Sequence, residues 1–160
     1  MFLVKHQILN TVLIITLFNL SLSAQIDFDN PPWKTACESD PNANQTAMNE
    51  CSYVQFTIAD SVLNEQYNIL ISEKQKFYDE EKKYLKDEND SFTLNLLKQT
   101  QNTINAIKKS KIDFITFRNS SCEIVGYQYQ GGSMAPLAIN YHALELTVNQ
   151  IKILEELKNE

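Results

Sequence analysis

Arg118 is the only arginine among the 14 basic residues of the chain. A guanidinium is planar, stays charged and can donate two parallel hydrogen bonds to one carboxylate, whereas a lysine ammonium acts as a point charge. Either the chain needs that geometry at this one position, or lysine predominates elsewhere because of codon usage in a genome rich in Asn, Ile and Lys. Composition alone leaves both interpretations open.

A carboxylate that could pair with Arg118 lies on a predicted helix. Asp60, Asn64 and Tyr67 are spaced i, i+4 and i+7, which places them with Leu63 on one helical face. Because this face also carries apolar residues, Asp60 could be partly buried, and a buried carboxylate needs a partner. We therefore expect an ion pair between Asp60 and Arg118. It would either lock the register of two helices, which is the favoured interpretation, or belong to a recognition site.

A second group of candidate residues lies in a predicted loop. Its two glycines and the serine after them are typical of a turn followed by a helix cap. Because two tyrosines flank the glycines, the loop is also the best candidate in the chain for an exposed partner-binding surface. The residues that carry this hypothesis are Tyr127, Tyr129, Gly131, Gly132 and Ser133.

Patterns for metal, cofactor and catalytic sites are weak. His142 is the only histidine after residue 24, and no closely spaced pair of cysteines accompanies it, as a zinc site would require. Two acidic runs, residues 79–81 and 87–88, lack the pattern of a calcium-binding loop. No Walker-type loop or nucleophile elbow is present. We expect a protein without metal, cofactor or enzymatic activity.

Residues 1–24 have the organisation of a secretory signal peptide. Lys5 precedes an apolar run over residues 8–22, and Ser23 and Ala24 supply small residues for cleavage. The run is shorter than the ~20 residues of a membrane span, and no cysteine follows it for a lipid anchor. We expect cleavage after Ala24, or else after Ser23, and a periplasmic or extracellular protein. An uncleaved anchor is the alternative interpretation.

Loss of Lys5 with the signal peptide changes the formal net charge from −6 to −7. An acidic protein repels nucleic acid and anionic lipid, so we expect neither nucleic acid nor, after cleavage, a membrane as partner. A cationic partner would be attracted, although mild acidity also serves solubility alone.

The chain has three cysteines. In an oxidising compartment cysteines tend to form disulfides, and an odd number leaves one cysteine without a partner in the same chain. Cys37 and Cys51 are close in sequence, and a disulfide between them would stabilise the fold by about 3 kcal/mol on the chain-entropy model. Cys122 would then remain, either buried as a small hydrophobic residue or paired between chains.

Helix breakers divide the remaining chain into two parts. Residues 25–43 form an irregular N-terminal segment with prolines, in which Trp33 is the one apolar anchor. Residues 44–160 form a helical domain without internal repeats. We predict an all-α fold, in which two long antiparallel helices and a shorter third helix form a small helical bundle.

The helix boundaries follow from caps and apolar spacing. The first helix runs from about residue 44 or 46 to about 86, and the second from about 92 to about 125, where Gly126 would end it. Ser133 would cap the third helix. The predicted apolar face of the second helix includes Leu97, Ile104, Ile107, Phe114, Phe117 and Ile124.

Several motifs follow one another along the helical domain. They are Cys51, Ala59-Asp60-x-x-Leu63-Asn64-x-x-Tyr67, Phe114-x-x-Phe117-Arg118-x-x-x-Cys122, Gly131-Gly132-Ser133 and Leu146-Thr147. In this order and spacing they resemble the LprI-like lysozyme inhibitor family, over about residues 37–154. The resemblance implies a secreted or periplasmic helical domain, with lysozyme inhibition in some relatives.

The chain departs from the family pattern at four positions. The family usually has Trp at the position of Phe114, Asp at that of Asn119 and Arg at that of Gln150. His142 stands where a fourth cysteine is common, which explains the odd number of cysteines and argues against a second disulfide.

The resemblance also raises an enzymatic alternative. If Cys122 and His142 fill the bridged positions of the family, they would lie close together, and such a pair can generate a thiolate nucleophile. However, the sequence contains no recognisable orienting group or oxyanion loop. His142 could equally fill the space left by a lost disulfide.

Two functional hypotheses therefore lead. The first is a binding protein that blocks a cationic lysozyme by direct contact. The second is an envelope structural or stress interaction module that does not bind lysozyme. A thiol enzyme is a distant third.

Overall fold

The computed structural model describes residues 26–34, 43–85 and 90–158. The predicted signal peptide, residues 1–24, lies outside the described residues, and so does Cys37. The Cys37–Cys51 disulfide therefore stays a prediction.

Three helices make up the described part of the chain, and no strand occurs in it: α1 spans Gln45–Tyr84, α2 spans Ser91–Gln128 and α3 spans Ala135–Lys158. Residues 60 and 67 of α1 contact residues 118 and 110 of α2, so these two helices run antiparallel. The prediction of an all-α bundle with two long antiparallel helices and a shorter third is confirmed. None of the described helices has a stretch long and apolar enough to cross a membrane.

Side-chain caps explain where the two long helices begin. The Asn44 carboxamide oxygen accepts a hydrogen bond from the Ala47 amide at 2.9 Å, before α1. Asp90 accepts hydrogen bonds from the amides of Phe92 and Thr93 at 3.2 Å each, before α2. Such caps satisfy amide groups that have no partner within the helix. The hydrogen bond from the Thr93 hydroxyl, together with those amides, lowers the pKa of Asp90.

Two predicted helix boundaries are wrong. Helix α2 does not end at Gly126 but continues to Gln128. A Cβ at Gly126 would lie 3.3 Å from the Cδ1 atom of Ile139, so this glycine permits a close approach of α3. The left-handed glycine expected after a helix is instead Gly131, with φ +80°. Helix α3 begins at Ala135, so Ser133 does not occupy the position directly before it.

The core lies mainly between α1 and α3, and Trp33 joins it from the N-terminal segment. Trp33 packs edge to face on Phe28, with 6.4 Å between ring centroids. Residues 26–34 of the irregular segment therefore cover part of the bundle. The buried members of this cluster are Trp33, Ala59, Leu63, Tyr67, Leu70, Ile151 and Leu154.

The third helix is shorter than its neighbours, which divides the bundle into two halves. Helix α3 ends at Lys158, where its ammonium contacts Gln66 of α1 and lies 3.0 Å from Glu155. From that level α1 continues to Tyr84. We call residues 43–66 and 112–151, which adjoin the α2–α3 connection, the apical half, and the opposite end of the bundle the distal half.

Candidate functional site

Arg118 lies inside the bundle and joins all three helices. Its Nη1 atom donates to Asp60 Oδ1 of α1 at 2.6 Å and to Thr147 Oγ1 of α3 at 2.9 Å. The Arg118 side chain is 6% exposed and that of Asp60 is 32% exposed. The structure therefore brings the two predicted partners together, with the cation buried and the carboxylate reaching water.

Two aromatic rings enclose the Arg118 guanidinium. Its Cζ atom lies 5.0 Å from the ring centroid of Phe56 and 5.6 Å from that of Phe114, within cation–π range. The Nε atom is buried and has no partner among the described residues. The pair with Asp60 is thus monodentate. The two rings and Thr147 surround the rest of the Arg118 side chain. Because Arg118 contacts all three helices, it is suited to fixing their register.

The other members of the Asp60 motif extend the same polar layer. Asn64 Nδ2 donates to the Asp60 backbone oxygen at 2.8 Å. The buried Tyr67 hydroxyl accepts from Gln150 Nε2 at 2.9 Å and lies 3.4 Å from Ser110 Oγ. Gln150, one of the departures from the family pattern, therefore satisfies a buried hydroxyl.

Cys122 and His142 have different hydrogen-bond partners among the described residues. His142 Nε2 lies 2.6 Å from Ser121 Oγ, and the nearest hydrogen-bond partner of the Cys122 thiol is the Ile139 carbonyl oxygen at 3.9 Å. Burial raises the pKa of Cys122, and the charge of Arg118 opposes this only in part. A raised pKa disfavours the nucleophilic thiolate. Cys122 is a free thiol.

No metal site is formed in the described part of the chain, where no three His, Cys, Asp or Glu side chains converge. A serine–histidine contact also occurs in hydrolases, but there a third group orients the imidazole. Among the described residues no carboxylate forms a hydrogen bond to His142.

The predicted contact residues lie at the connection between α2 and α3. We call residues 127–133 the apical segment. Tyr127 occupies the last turn of α2 and not a loop, and a tight turn follows it. The Gly132 amide donates to the Tyr129 carbonyl at 3.0 Å, and the Ala135 amide donates to the Gly132 carbonyl at 3.2 Å. The backbone of the segment is thus ordered by its own hydrogen bonds.

Helix α1 anchors the apical segment from below. Asn49 Nδ2 donates to the Ser133 carbonyl oxygen at 3.1 Å, and Gln45 Nε2 donates to Asn49 Oδ1 at 2.9 Å. Asn140 of α3 donates to the Asn49 carbonyl at 3.3 Å and to Ser52 Oγ at 3.0 Å. Sequence patterns did not reveal this amide network, because its members are distant in sequence.

Exposed apolar side chains continue the surface of the apical segment along α2. Tyr127 is 72% exposed, Ile124 62% and Phe117 58%. Tyr129 and Met134 are also exposed. Phe117 and Ile124 belong to the apolar face predicted for the second helix, but both side chains are exposed. Adjacent helical residues point about 100° apart, so the inward position of Arg118 turns Phe117 outward.

The charges of the apical half are one-sided. Residues 43–66 and 112–151 contain no lysine, and their only arginine, Arg118, is buried and paired. Four glutamates in these ranges are exposed: Glu50, Glu65, Glu123 and Glu145. The hairpin fold gathers the lysine-free stretches at one end, a segregation that the net charge alone does not reveal.

Comparison with known proteins gives the chain a family. The sequence pattern of the family described as lysozyme inhibitor LprI matches residues 37–154. An uncharacterized protein of Rhizobium meliloti (strain 1021) is 27% identical over 114 residues, which are 71% of this chain and 73% of that protein. No solved structure matches the chain significantly. The span that matches the family pattern, residues 37–154, includes α1, α2 and most of α3. The chain therefore belongs to the lysozyme inhibitor LprI family.

Proposed function

We propose that the protein is exported, loses residues 1–24 and inhibits a cationic lysozyme by direct contact through the apical segment. It acts as a binding protein and catalyses no reaction. Membership of the lysozyme inhibitor LprI family supports the activity, and the signal-peptide organisation of residues 1–24 supports the periplasmic or extracellular location.

The observation that carries the proposal is an aromatic surface set in an acidic half of the bundle. Tyr127 and Tyr129 project from the apical segment, and no exposed lysine or arginine lies in residues 43–66 or 112–151. Tyrosine gives a large, rigid contact area at low entropic cost, and aromatic residues often dominate binding energy. A surrounding negative potential steers a basic partner towards this surface.

The apical segment could enter a substrate cleft because its backbone is accessible. A Cβ placed at Gly131 would have nothing within 4 Å among the described residues, so a partner can approach closely there. The hydroxyls of Ser133 and of a tyrosine could donate hydrogen bonds to the carboxylates of a lysozyme cleft. A segment held in that position would exclude the polysaccharide substrate.

Preorganisation supports the same location. Hydrogen bonds from Asn49 and within the turn order the segment before any partner arrives. A segment that is already ordered loses less conformational entropy on binding.

Alanine variants with a matched control test the site. We expect Tyr127→Ala and Tyr129→Ala each to raise the inhibition constant about tenfold or more, as interface aromatics typically do. Tyr84→Ala is the control, because Tyr84 is 73% exposed but lies at the distal end of α1. We expect it to leave inhibition unchanged.

The wild-type assay tests whether the protein inhibits lysozyme, and the variants test whether the apical segment makes the contact. Inhibition by the wild type that neither apical variant reduces would keep the activity and move the contact site elsewhere. No inhibition of any lysozyme type would favour an envelope interaction module with a different partner.

A further inference from the structure

A cleft between the three helices lies in the distal half, where α3 ends. Its volume is about 420 Å³, within the range of about 300–1,000 Å³ that is usual for small-molecule sites. Leu70 and Leu154 are buried at its floor, while Ala106 and Leu157 are exposed at its edge. The cleft is therefore an open site with an aliphatic floor.

One lysine lines this aliphatic cleft without a protein partner. Lys74 is half-buried and forms no hydrogen bond or ion pair with another described residue. Withdrawing an ammonium from water is unfavourable unless an anion or acceptor compensates for it. No Asp or Glu lines the cleft.

A second lysine adds to the positive potential. Lys111 Nζ lies 5.9 Å from the ring centroid of Tyr67, whose ring also lines the cleft. Lys111 likewise has no hydrogen bond or ion pair to any described residue. The cleft thus combines an apolar floor with two nearby lysines that form no ion pair with a described residue, in contrast to the acidic apical half.

The dimensions limit the occupant. Along α2 the lining residues run from Thr103 to Ser110, a distance of about 10 Å at 1.5 Å per residue. That length suits a medium-chain alkyl group and is too short for a long lipid chain to be enclosed.

We propose that this cleft binds one medium-chain anionic amphiphile, such as a fatty carboxylate. The carboxylate pairs with Lys74, and the alkyl chain lies over Leu70, Ile107 and Leu154. The Tyr67 hydroxyl does not compete for the ligand, because Gln150 and Ser110 already engage it. This site is separate from the apical segment and does not depend on lysozyme inhibition.

Titration of the isotope-labelled mature protein with octanoate, followed by amide NMR shifts, tests the site directly. 1-Octanol serves as the neutral probe of the same chain length. We expect both probes to shift amides near Thr103, Ile107 and Leu154, with octanoate bound more tightly. Lys74→Gln should weaken octanoate binding about tenfold, the effect of losing one charge-assisted hydrogen bond, and leave octanol binding unchanged.

Two further variants sharpen the test. Ala106→Leu narrows the cleft with a good helix former and should weaken both probes. Lys98→Gln removes an exposed lysine of α2 that does not line the cleft, and should weaken neither. Absence of shifts at about 5 mM octanoate, a concentration at which even weak sites are occupied, would overturn the proposal. Equal binding of octanoate by wild type and Lys74→Gln would overturn the assigned role of the lysine.

Discussion

The Arg118 guanidinium and the Asp60 carboxylate meet at 2.6 Å between α2 and α1, and the cation is far more buried than the anion. This difference in burial means that losing either partner should affect stability differently. If the carboxylate is removed, a buried positive charge remains without a counter-charge, held only by Thr147 and the two rings. If the guanidinium is removed, the remaining carboxylate still reaches water.

We therefore predict unequal effects of removing the two partners. Asp60→Ala should lower the free energy of unfolding by about 3–5 kcal/mol, as expected for a stranded buried charge. Arg118→Met keeps much of the side-chain volume between Phe56 and Phe114 and should cost less, about 1–3 kcal/mol for the lost hydrogen bonds. Urea unfolding of the three proteins measures both values. A larger loss for Arg118→Met would contradict the proposed asymmetry.

The left-handed conformation of Gly131 gives a second prediction. Its φ of +80° disfavours a side chain, and no contact opposes one sterically. Gly131→Ala should lower the free energy of unfolding by about 1 kcal/mol. Gly131→Asn should cost less, because Asn tolerates this region better. Equal melting temperatures for Gly131→Ala and the wild type would show that the turn is not strained by a Cβ.

The cysteines give a third prediction. Alkylation of unfolded, non-reduced protein should label Cys122 alone, because we expect Cys37 and Cys51 to be paired. A mass-spectrometric peptide that joins Cys51 to Cys122 would contradict this pairing.

In the native protein the raised pKa should make Cys122 react slowly. Its pKa lies above the ordinary value of 9.0 because burial disfavours the thiolate. Because only the thiolate reacts, the alkylation rate should increase mainly as the pH approaches this raised pKa. At pH 8 alkylation should be slower in the native protein than in the unfolded chain. The corresponding contribution to stability is present below the unfolded-state pKa and is lost as pH rises through the folded-state pKa.

The acidic apical half gives a fourth prediction, which depends on the proposed function. Glu123→Gln combined with Glu145→Gln should slow association with a cationic lysozyme about three- to tenfold at low salt. Glu80→Gln combined with Glu156→Gln removes the same charge from the distal half and should have a smaller effect. Stopped-flow association rates at several salt concentrations provide the measurement. Equal slowing by both double variants would show that only net charge matters.

Sequence periodicity predicted the three helices because each carries an apolar face over many turns. The position of Arg118 opposite Asp60 was also predictable, since a lone arginine and a carboxylate on apolar faces need each other. The motifs in the sequence also predicted the family, whose pattern matches residues 37–154.

The surface features were not predictable in the same way. A periodic pattern assigns an apolar residue next to a core position to the same apolar face. The exposure of Phe117 and Ile124 therefore follows only from the inward orientation of Arg118 in the structure. The amide network under Ser133 joins residues of α1, α3 and the turn, and depends on tertiary packing. The cleft beside Lys74 arises because α3 ends before its neighbours, which single-helix patterns do not reveal.

Lysozyme inhibition itself is measured by the rate at which lysozymes hydrolyse peptidoglycan in the presence of the purified mature protein. We predict that the protein alone hydrolyses nothing. At about 1 µM, a concentration matched to moderate affinity, it should inhibit at least one cationic lysozyme, and inhibition should weaken as salt rises. Full lysozyme activity for every type at that concentration would contradict the proposed function.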